Sequence, residues 1–228
     1  HTVGELSDLL RTVSALGVRP ALLGAGTNVL APDEGLRGLV IVTRDCLMCL
    51  ERTDETHIAA LAGVSMAKLA IFAQEANLTG LEFAHGIPGT VGGGVYMNAG
   101  AYGGEIMRVA EKTDFLRMDG SMQTFTGVAQ GFAYRTSAFQ SMQGVIVRTV
   151  FALTEGKREA IRAHMQELAE KRRASQPLEL PSAGSAFKRP VGGYAAALIE
   201  QAGLKGFQVG GAAVSEKHAG FIVNRGGA

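Results

Sequence analysis

The chain has 228 residues, which at about 100–200 residues per domain allows one large domain or two to three small lobes. Hydrophobic residues make up 46% and charged residues 19%, a globular balance, and the net charge of +1 leaves neither an acidic tail nor a basic footprint for nucleic acid. No apolar run approaches the ~18–20 residues of a membrane span and no signal-peptide pattern opens the chain, so a cytoplasmic protein without membrane, nucleic-acid or obligate protein partner is expected. Because it begins at His1 rather than Met, the chain is expected to be part of a longer product.

Thr2-x-x-Glu5 has capping-box spacing, and Leu6, Leu9, Leu10, Val13 and Leu16 follow at helical spacing up to Gly17. A short apolar run, Pro20 to Leu23, predicts a strand that ends in Gly24-Ala25-Gly26-Thr27-Asn28. Further strands are predicted at Leu39–Val42, Cys46–Leu50 and His57–Leu61, and a helix at Ser65–Ala76 with Leu69, Ile71, Phe72 and Ala76 on its apolar face. Cys46 and Cys49 form the one C-x-x-C. On a strand, residues three apart point to opposite faces, so the pair reads as two small buried hydrophobes rather than a disulfide or half a zinc site, and no metal is expected. Lys112–Met118 and Met122–Thr126 read as strands joined by an Asp119-Gly120 hairpin, followed by a strand at Val145–Leu153. A charged helix over 157–173 stops at Gln176-Pro177, and a last helix (Tyr194–Ala202) and strand (Gly220–Asn224) close an α+β chain with no internal repeat.

Glycine is the outlier, with 31 residues, nearly twice the usual about 7%. Gly24 to Asn28 is not a Walker loop, because no Gly-Lys-Ser/Thr follows, and it lacks the third glycine of a dinucleotide fingerprint. It reads either as an anion-binding turn, with Thr27 and Asn28 as added donors, or as an ordinary strand-to-strand turn. Residues 86–104 hold eight glycines in nineteen positions. Missing side chains there would let backbone press against a flat or phosphate-bearing ligand, with Asn98 as donor and acceptor in the wall. A purely structural account would need many left-handed turns in one short stretch.

Five stretches in order resemble the UDP-N-acetylenolpyruvoylglucosamine reductase family: Gly24 to Asn28, Leu81-Glu82-Phe83 through Gly104, Tyr134-Arg135-x-Ser137-x-Phe139, Pro181-Ser182-Ala183-Gly184-Ser185-Ala186-Phe187-Lys188-Arg189-Pro190, and Gly203-Leu204-Lys205-Gly206 through Val214 to Phe221. The resemblance implies an FAD-binding fold of the vanillyl-alcohol-oxidase type, with FAD-binding lobes at 1–35 and 36–156 and a C-terminal α+β substrate lobe at 157–228. It also implies non-covalent FAD, although His85 stands where the family commonly has a small residue or cysteine and relatives in the wider fold attach flavin through histidine. The FAD pyrophosphate and flavin would be surrounded by Gly24, Ala25, Gly26, Thr27, Asn28, Gly86, Ile87, Pro88, Gly89, Thr90, Gly92, Gly93, Asn98, Ala99, Gly100 and Ala101, with Arg172 as a further contact.

The reaction so implied uses NADPH as hydride donor and the enolpyruvyl ether of UDP-N-acetylglucosamine as acceptor, giving UDP-N-acetylmuramate for peptidoglycan. Arg135 matches the family arginine that faces the substrate carboxylate, and Ser185 the family serine that protonates C2, with Lys188 expected to help it. Tyr134, Lys188, Arg189, Lys217, His218 and Asn224 are the implied diphosphate, uridine or sugar contacts; each has an ordinary structural reading as well, His218 as a helix-end residue and Ser185 as a turn serine. The family also carries a carboxylate near its C-terminus and a strand before its first helix, neither matched before Ala228 or ahead of Thr2, so a core fragment is expected. The short spacing from Arg135 to Ser185 resembles the class without a substrate-capping tyrosine loop. Two other readings stay open: an FAD oxidase of the same fold, which has no need of Gly-Ser-x-Phe-Lys, and a non-catalytic flavin or UDP-sugar binding module.

Overall fold

A computed structural model describes residues 2–228. The chain divides into two compact units: the segment through Gly26 together with Asp33–Leu168, and Thr27–Pro32 together with Ala169–Ala228. This grouping differs from a partition at residues 35 and 156, since the first helix and strand cluster with the central region.

In the first unit, α1 (Val3–Ala15) starts at the expected capping box: Thr2 Oγ1 accepts from Glu5 N at 3.2 Å and the Glu5 carboxylate accepts from Thr2 N at 2.7 Å. Leu6, Leu10 and Val13 are buried, whereas Leu9 and Leu16 are exposed, and Gly17 ends the helix at φ +68°. β1 (Ala21–Leu23) runs parallel to β2 (Val40–Val42), Ala21 opposite Val40. Gly24–Gly26 therefore leaves the end of a parallel strand and is not a hairpin turn.

The Cys46–Leu50 strand is a correction. The chain turns there, with Leu47 at φ +53°, and pairing resumes only in β3 (Leu50–Arg52). Cys46 is half-buried and Cys49 exposed, so they are not a buried pair. The turn is forced by the chain packing on Gly63, where a Cβ would lie 1.7 Å from the Cys46 carbonyl oxygen.

β4 (His57–Leu61) leads into α2 (Met66–Glu75), whose Ser65 cap accepts from Lys68 N at 3.2 Å. Its buried face is Met66, Leu69, Ala70 and Ala73; Ile71, expected inside, is exposed, because the small alanines at helical spacing pack closest. Then follow β5 (Leu78–Thr79), a 3-10 turn (Glu82–Ala84), α3 (Val91–Tyr96), β6 (Gly100–Ala101), β7 (Gly104–Glu105), β8 (Ala110–Arg117), β9 (Met122–Thr126), β10 (Gly144–Ala152) and β11 (Thr154–Glu155). The main sheet is antiparallel with order β3-β4-β10-β8-β9, and Gly120 turns the expected β8–β9 hairpin at φ +82°. Phe115, Phe125 and Phe139 pack ring on ring in its core, centroids 5.3–6.2 Å apart.

The boundary between the units falls inside α4 (Arg158–Ser175), which buries Ile161, Met165 and Leu168 and ends before Gln176-Pro177. The second unit adds β12 (Ser182–Ser185), α5 (Ala195–Gln201), β13 (Gln208–Val209), β14 (Ala212–Val214) and β15 (Phe221–Asn224), in sheet order β12-β15-β14-β13. Its core is small: Ala213, Phe221 and Val223, with Leu180 against them.

Candidate active site

The first unit brings the two glycine segments together. A Cβ on Gly24 would meet Thr90 Oγ1 at 2.6 Å, so the turn after β1 lies directly on the start of α3. The N–H groups of Ala25 and Gly26 find no hydrogen-bond partner among the described residues, and Gly26 sits at φ +71°. Thr90 is buried, caps α3 by accepting from Gly93 N at 3.4 Å, and with Val91 and Gly92 is laced to the chain after β4: Val91 N donates to Val64 O at 2.7 Å and Gly92 N to Ala62 O at 2.9 Å.

Four of the eight glycines of the central block serve the protein itself, a use that is neither a left-handed turn nor a ligand wall. A Cβ would lie 2.9 Å from Ala62 Cβ on Gly92, 2.7 Å from Met66 Sδ on Gly94, 2.6 Å from Glu105 Cγ on Gly100 and 2.4 Å from the Phe83 ring on Gly104. These four let backbone pack on backbone and side chain. Gly93 is different: it is exposed, and the nearest atom to its Cβ position is Thr90 Oγ1 at 3.6 Å. Gly86, Ile87, Gly89, Ala99 and Ala101 are half-buried, and Pro88 is exposed like Gly93.

Asn98 does not line that wall. It is fully buried; its Nδ2 donates to Ala133 O at 2.9 Å and Glu105 Oε2 at 3.4 Å, while its Oδ1 accepts from Met107 N at 2.9 Å. A side chain so committed has turned inward, which corrects the expectation that it faces a cofactor.

Arg135 comes to the same place from a later part of the chain. Ala133 and Thr136 pair across a two-residue turn holding Tyr134 and Arg135, and Arg135 takes φ +53°. Its guanidinium donates to Gly100 O at 2.7 Å and Asn98 O at 3.4 Å, leaving three of its five N–H groups outside these bonds. The same group lies 5.1 Å from the centroid of the half-exposed Tyr134 ring. Ser137 and Gln140, which motif reading left without a role, fasten this turn: Ser137 Oγ and Gln140 Nε2 donate to Tyr96 O at 2.7 and 2.9 Å, and Gln140 Nε2 reaches Arg135 O at 3.2 Å. The repeat of Arg135, Ser137 and Phe139 at alternate positions was the available signal: Phe139 anchors in the aromatic core, Ser137 bonds the end of α3, and Arg135 is presented. A cavity of about 340 Å³ lies along the β6–β7 hairpin, lined in part by Phe83, Tyr102, Glu105, Arg108 and His164.

In the second unit, Ser185 ends β12 opposite Phe221. Its Oγ and the His218 ring both lie 3.0 Å from the place a Cβ would take on Gly220. Gly220 N donates to His218 Nδ1 at 3.1 Å, which leaves the proton of the neutral ring on Nε2. Lys188 is exposed in the loop beyond β12, with no hydrogen bond or ion pair to a described residue. Lys217 Nζ donates to Arg173 O at 2.6 Å and lies 3.9 Å from Glu179; Arg189 sits 4.4 Å over the Tyr194 ring; Asn224 Oδ1 accepts from Gly226 N at 2.7 Å. Arg172 is half-buried in the last turn of α4, and Gln176 just beyond it holds a buried Oε1 without a partner. Thr27 and Asn28 cluster with this second unit, so the first glycine segment is divided between the two. No helix among the described residues is long and apolar enough to cross a membrane.

Residues 1–126 match the family model of the FAD binding domain, and residues 176–228 that of the UDP-N-acetylenolpyruvoylglucosamine reductase C-terminal domain. A UDP-N-acetylenolpyruvoylglucosamine reductase of Latilactobacillus sakei is 44% identical over 229 residues, covering 100% of this chain and 74% of that protein. One from Syntrophomonas wolfei is 46% identical over 207 residues, covering 91% and 69%. The crystal structure of the reductase from Thermus caldophilus superposes with a TM-score of 0.85 at 35% identity, covering 100% of this chain and 80% of that one. An alkyldihydroxyacetonephosphate synthase matches 68% of the chain with a TM-score of 0.52 at 16% identity, a likeness of fold alone.

Proposed function

The chain belongs to the UDP-N-acetylenolpyruvoylglucosamine reductase family, and from that membership we propose that it is the flavoenzyme that reduces the enolpyruvyl ether of UDP-N-acetylglucosamine to UDP-N-acetylmuramate, with NADPH as hydride donor, in cytoplasmic peptidoglycan precursor synthesis. The fold is the mixed α/β FAD-binding type. The residues fit FAD: the N–H groups of Ala25 and Gly26, unbonded among the described residues, can receive a phosphate, and at the exposed Gly93 a flat ring can approach the backbone with no Cβ in the way. Arg172 is assigned to the flavin or a phosphate from the family resemblance alone. When bound, FAD would supply the two-electron chemistry that links NADPH oxidation to reduction of the enolpyruvyl group at C3.

The chain's own residues deal with the charge and the proton. Hydride arriving at C3 drives negative charge onto the neighbouring carboxylate as an enolate. A planar guanidinium fork suits that group, and one such preorganised donor is typically worth about 3–4 kcal/mol in the transition state. Arg135 is assigned this task. Ser185 is assigned the proton for C2. A serine is a weak acid, so its alkoxide needs a neighbour, and the His218 ring, which with Ser185 Oγ borders Gly220, is assigned that part. Tyr134, Lys188, Arg189, Lys217 and Asn224 are assigned to the nucleotide sugar.

The observation that carries this reading is the seat of Arg135: a strained arginine whose guanidinium is fixed on the backbone of the glycine block itself. The test is an absorption spectrum of protein incubated with FAD and desalted, then treated anaerobically with NADPH. A retained flavin band should bleach and recover only on addition of the enolpyruvyl nucleotide sugar. Recovery with oxygen alone, indifferent to that sugar, would mean an oxidase instead.

A further inference from the structure

We propose that Asn98 is a positioning residue for Arg135, acting through the Ala133 carbonyl and through its own, and not a cofactor contact; this rests on the role given to Arg135 above. Among the described residues five non-glycine ones have left-handed backbone, and three of them, Asn98 (φ +43°), Tyr102 (φ +51°) and Arg135 (φ +53°), fall in this one cluster. Such backbone persists only where the surroundings over-determine it, and its concentration at one spot points to function. Asn98 is at the centre. Its Nδ2 holds Ala133 O at 2.9 Å, the base of the turn that carries Arg135. Its carbonyl receives Arg135 Nη1 at 3.4 Å, near the tip of the same side chain. One residue thus grips the arginine at both ends, while its Oδ1 is tied to Met107 N at 2.9 Å so that the amide cannot rotate away.

The residue type follows from the geometry. Asparagine tolerates the left-handed region better than other side chains. Aspartate could not donate to Ala133 O and would set a second carboxylate against Glu105, 3.4 Å from Nδ2. Glutamine is a methylene too long for a site with no exposed surface.

The test separates two half-reactions of the flavin-loaded protein in stopped flow, for Asn98→Gly, Asn98→Asp, Arg135→Lys and the Asn98→Gly/Arg135→Lys double variant. Asn98→Gly, which suits the left-handed backbone, should keep bound flavin and its reduction rate with NADPH, but slow reoxidation by the enolpyruvyl nucleotide sugar about 100-fold. In the double variant the slowing should match Arg135→Lys alone, because Asn98 acts through Arg135. In Asn98→Asp the introduced carboxyl should regain reoxidation rate as pH falls, since its protonated form can again donate to Ala133 O. In the flavin-free protein, the Arg135 guanidinium ¹⁵N signal should lose its protection from exchange in both Asn98 variants.

Multiplying penalties in the double variant, equal slowing of both half-reactions, loss of flavin, or failure of both Asn98 variants to fold would each overturn the proposal. If Arg135→Lys itself leaves reoxidation unchanged, the assignment of Arg135 falls, and this inference with it. If Arg135→Lys slows it and Asn98→Gly does not, the inference alone falls.

Discussion

Arg135 occupies a conformation that glycine would take freely, and holding a non-glycine residue there costs on the order of 1–3 kcal/mol. Its two guanidinium–carbonyl bonds, to Asn98 and Gly100, offset part of that cost. Arg135→Gly removes the strain and the bonds together, so its thermal unfolding should lie within about 1 kcal/mol of the parent. Reoxidation by the enolpyruvyl substrate should nevertheless slow by about 10²–10³-fold. A large loss of stability with little loss of rate would make Arg135 a structural residue. The motif around it was legible because arginine, serine and phenylalanine recur at alternate positions. The strain was not, since nothing local asks an arginine to adopt positive φ.

At the level of elements, α3 shows how glycine serves two ends in adjacent positions. On Gly92 a Cβ would press on Ala62, and the Gly92→Ala variant should unfold about 1–3 kcal/mol more easily in denaturant, with or without flavin. On Gly93 a Cβ would meet only Thr90 Oγ1 at 3.6 Å, an ordinary contact, and an alanine there should leave the flavin-free protein as stable or up to about 1 kcal/mol more so, because glycine is a poor helix former. Fluorescence titration of Gly93→Ala should show weaker FAD binding; unchanged affinity would move the cofactor wall elsewhere. The C-x-x-C turn teaches the same lesson from the other side. Its apolar residues have the composition of a strand, but close packing of Cys46 on Gly63 bends the chain before a ladder can form.

Across the whole molecule the two units differ in how much apolar surface they close. The first holds a continuous core running from α1 through the five-stranded sheet, and the second only Ala213, Phe221 and Val223 with Leu180. Local stability follows buried apolar contact, so native-state hydrogen exchange should release the amides of β14 and β15 at least about tenfold faster than those of β8 and β10. Equal protection would mean that the second unit is held by more than its own core.

The sequence by itself determined the elements that depend on neighbours a few residues apart: the capping box of α1, the span of α2, the β8–β9 hairpin and the stop of α4. It also determined the family, because five motifs stood in order. Only the tertiary structure decided which glycines press on protein and which do not, that Asn98 is buried and bonded to the turn of Arg135, and that Ser185 and His218 both border Gly220. The reason is distance along the chain. Arg135 meets Asn98 across 37 residues and Ser137 meets Tyr96 across 41, and contacts of that range exist only once the main sheet has brought the two segments together.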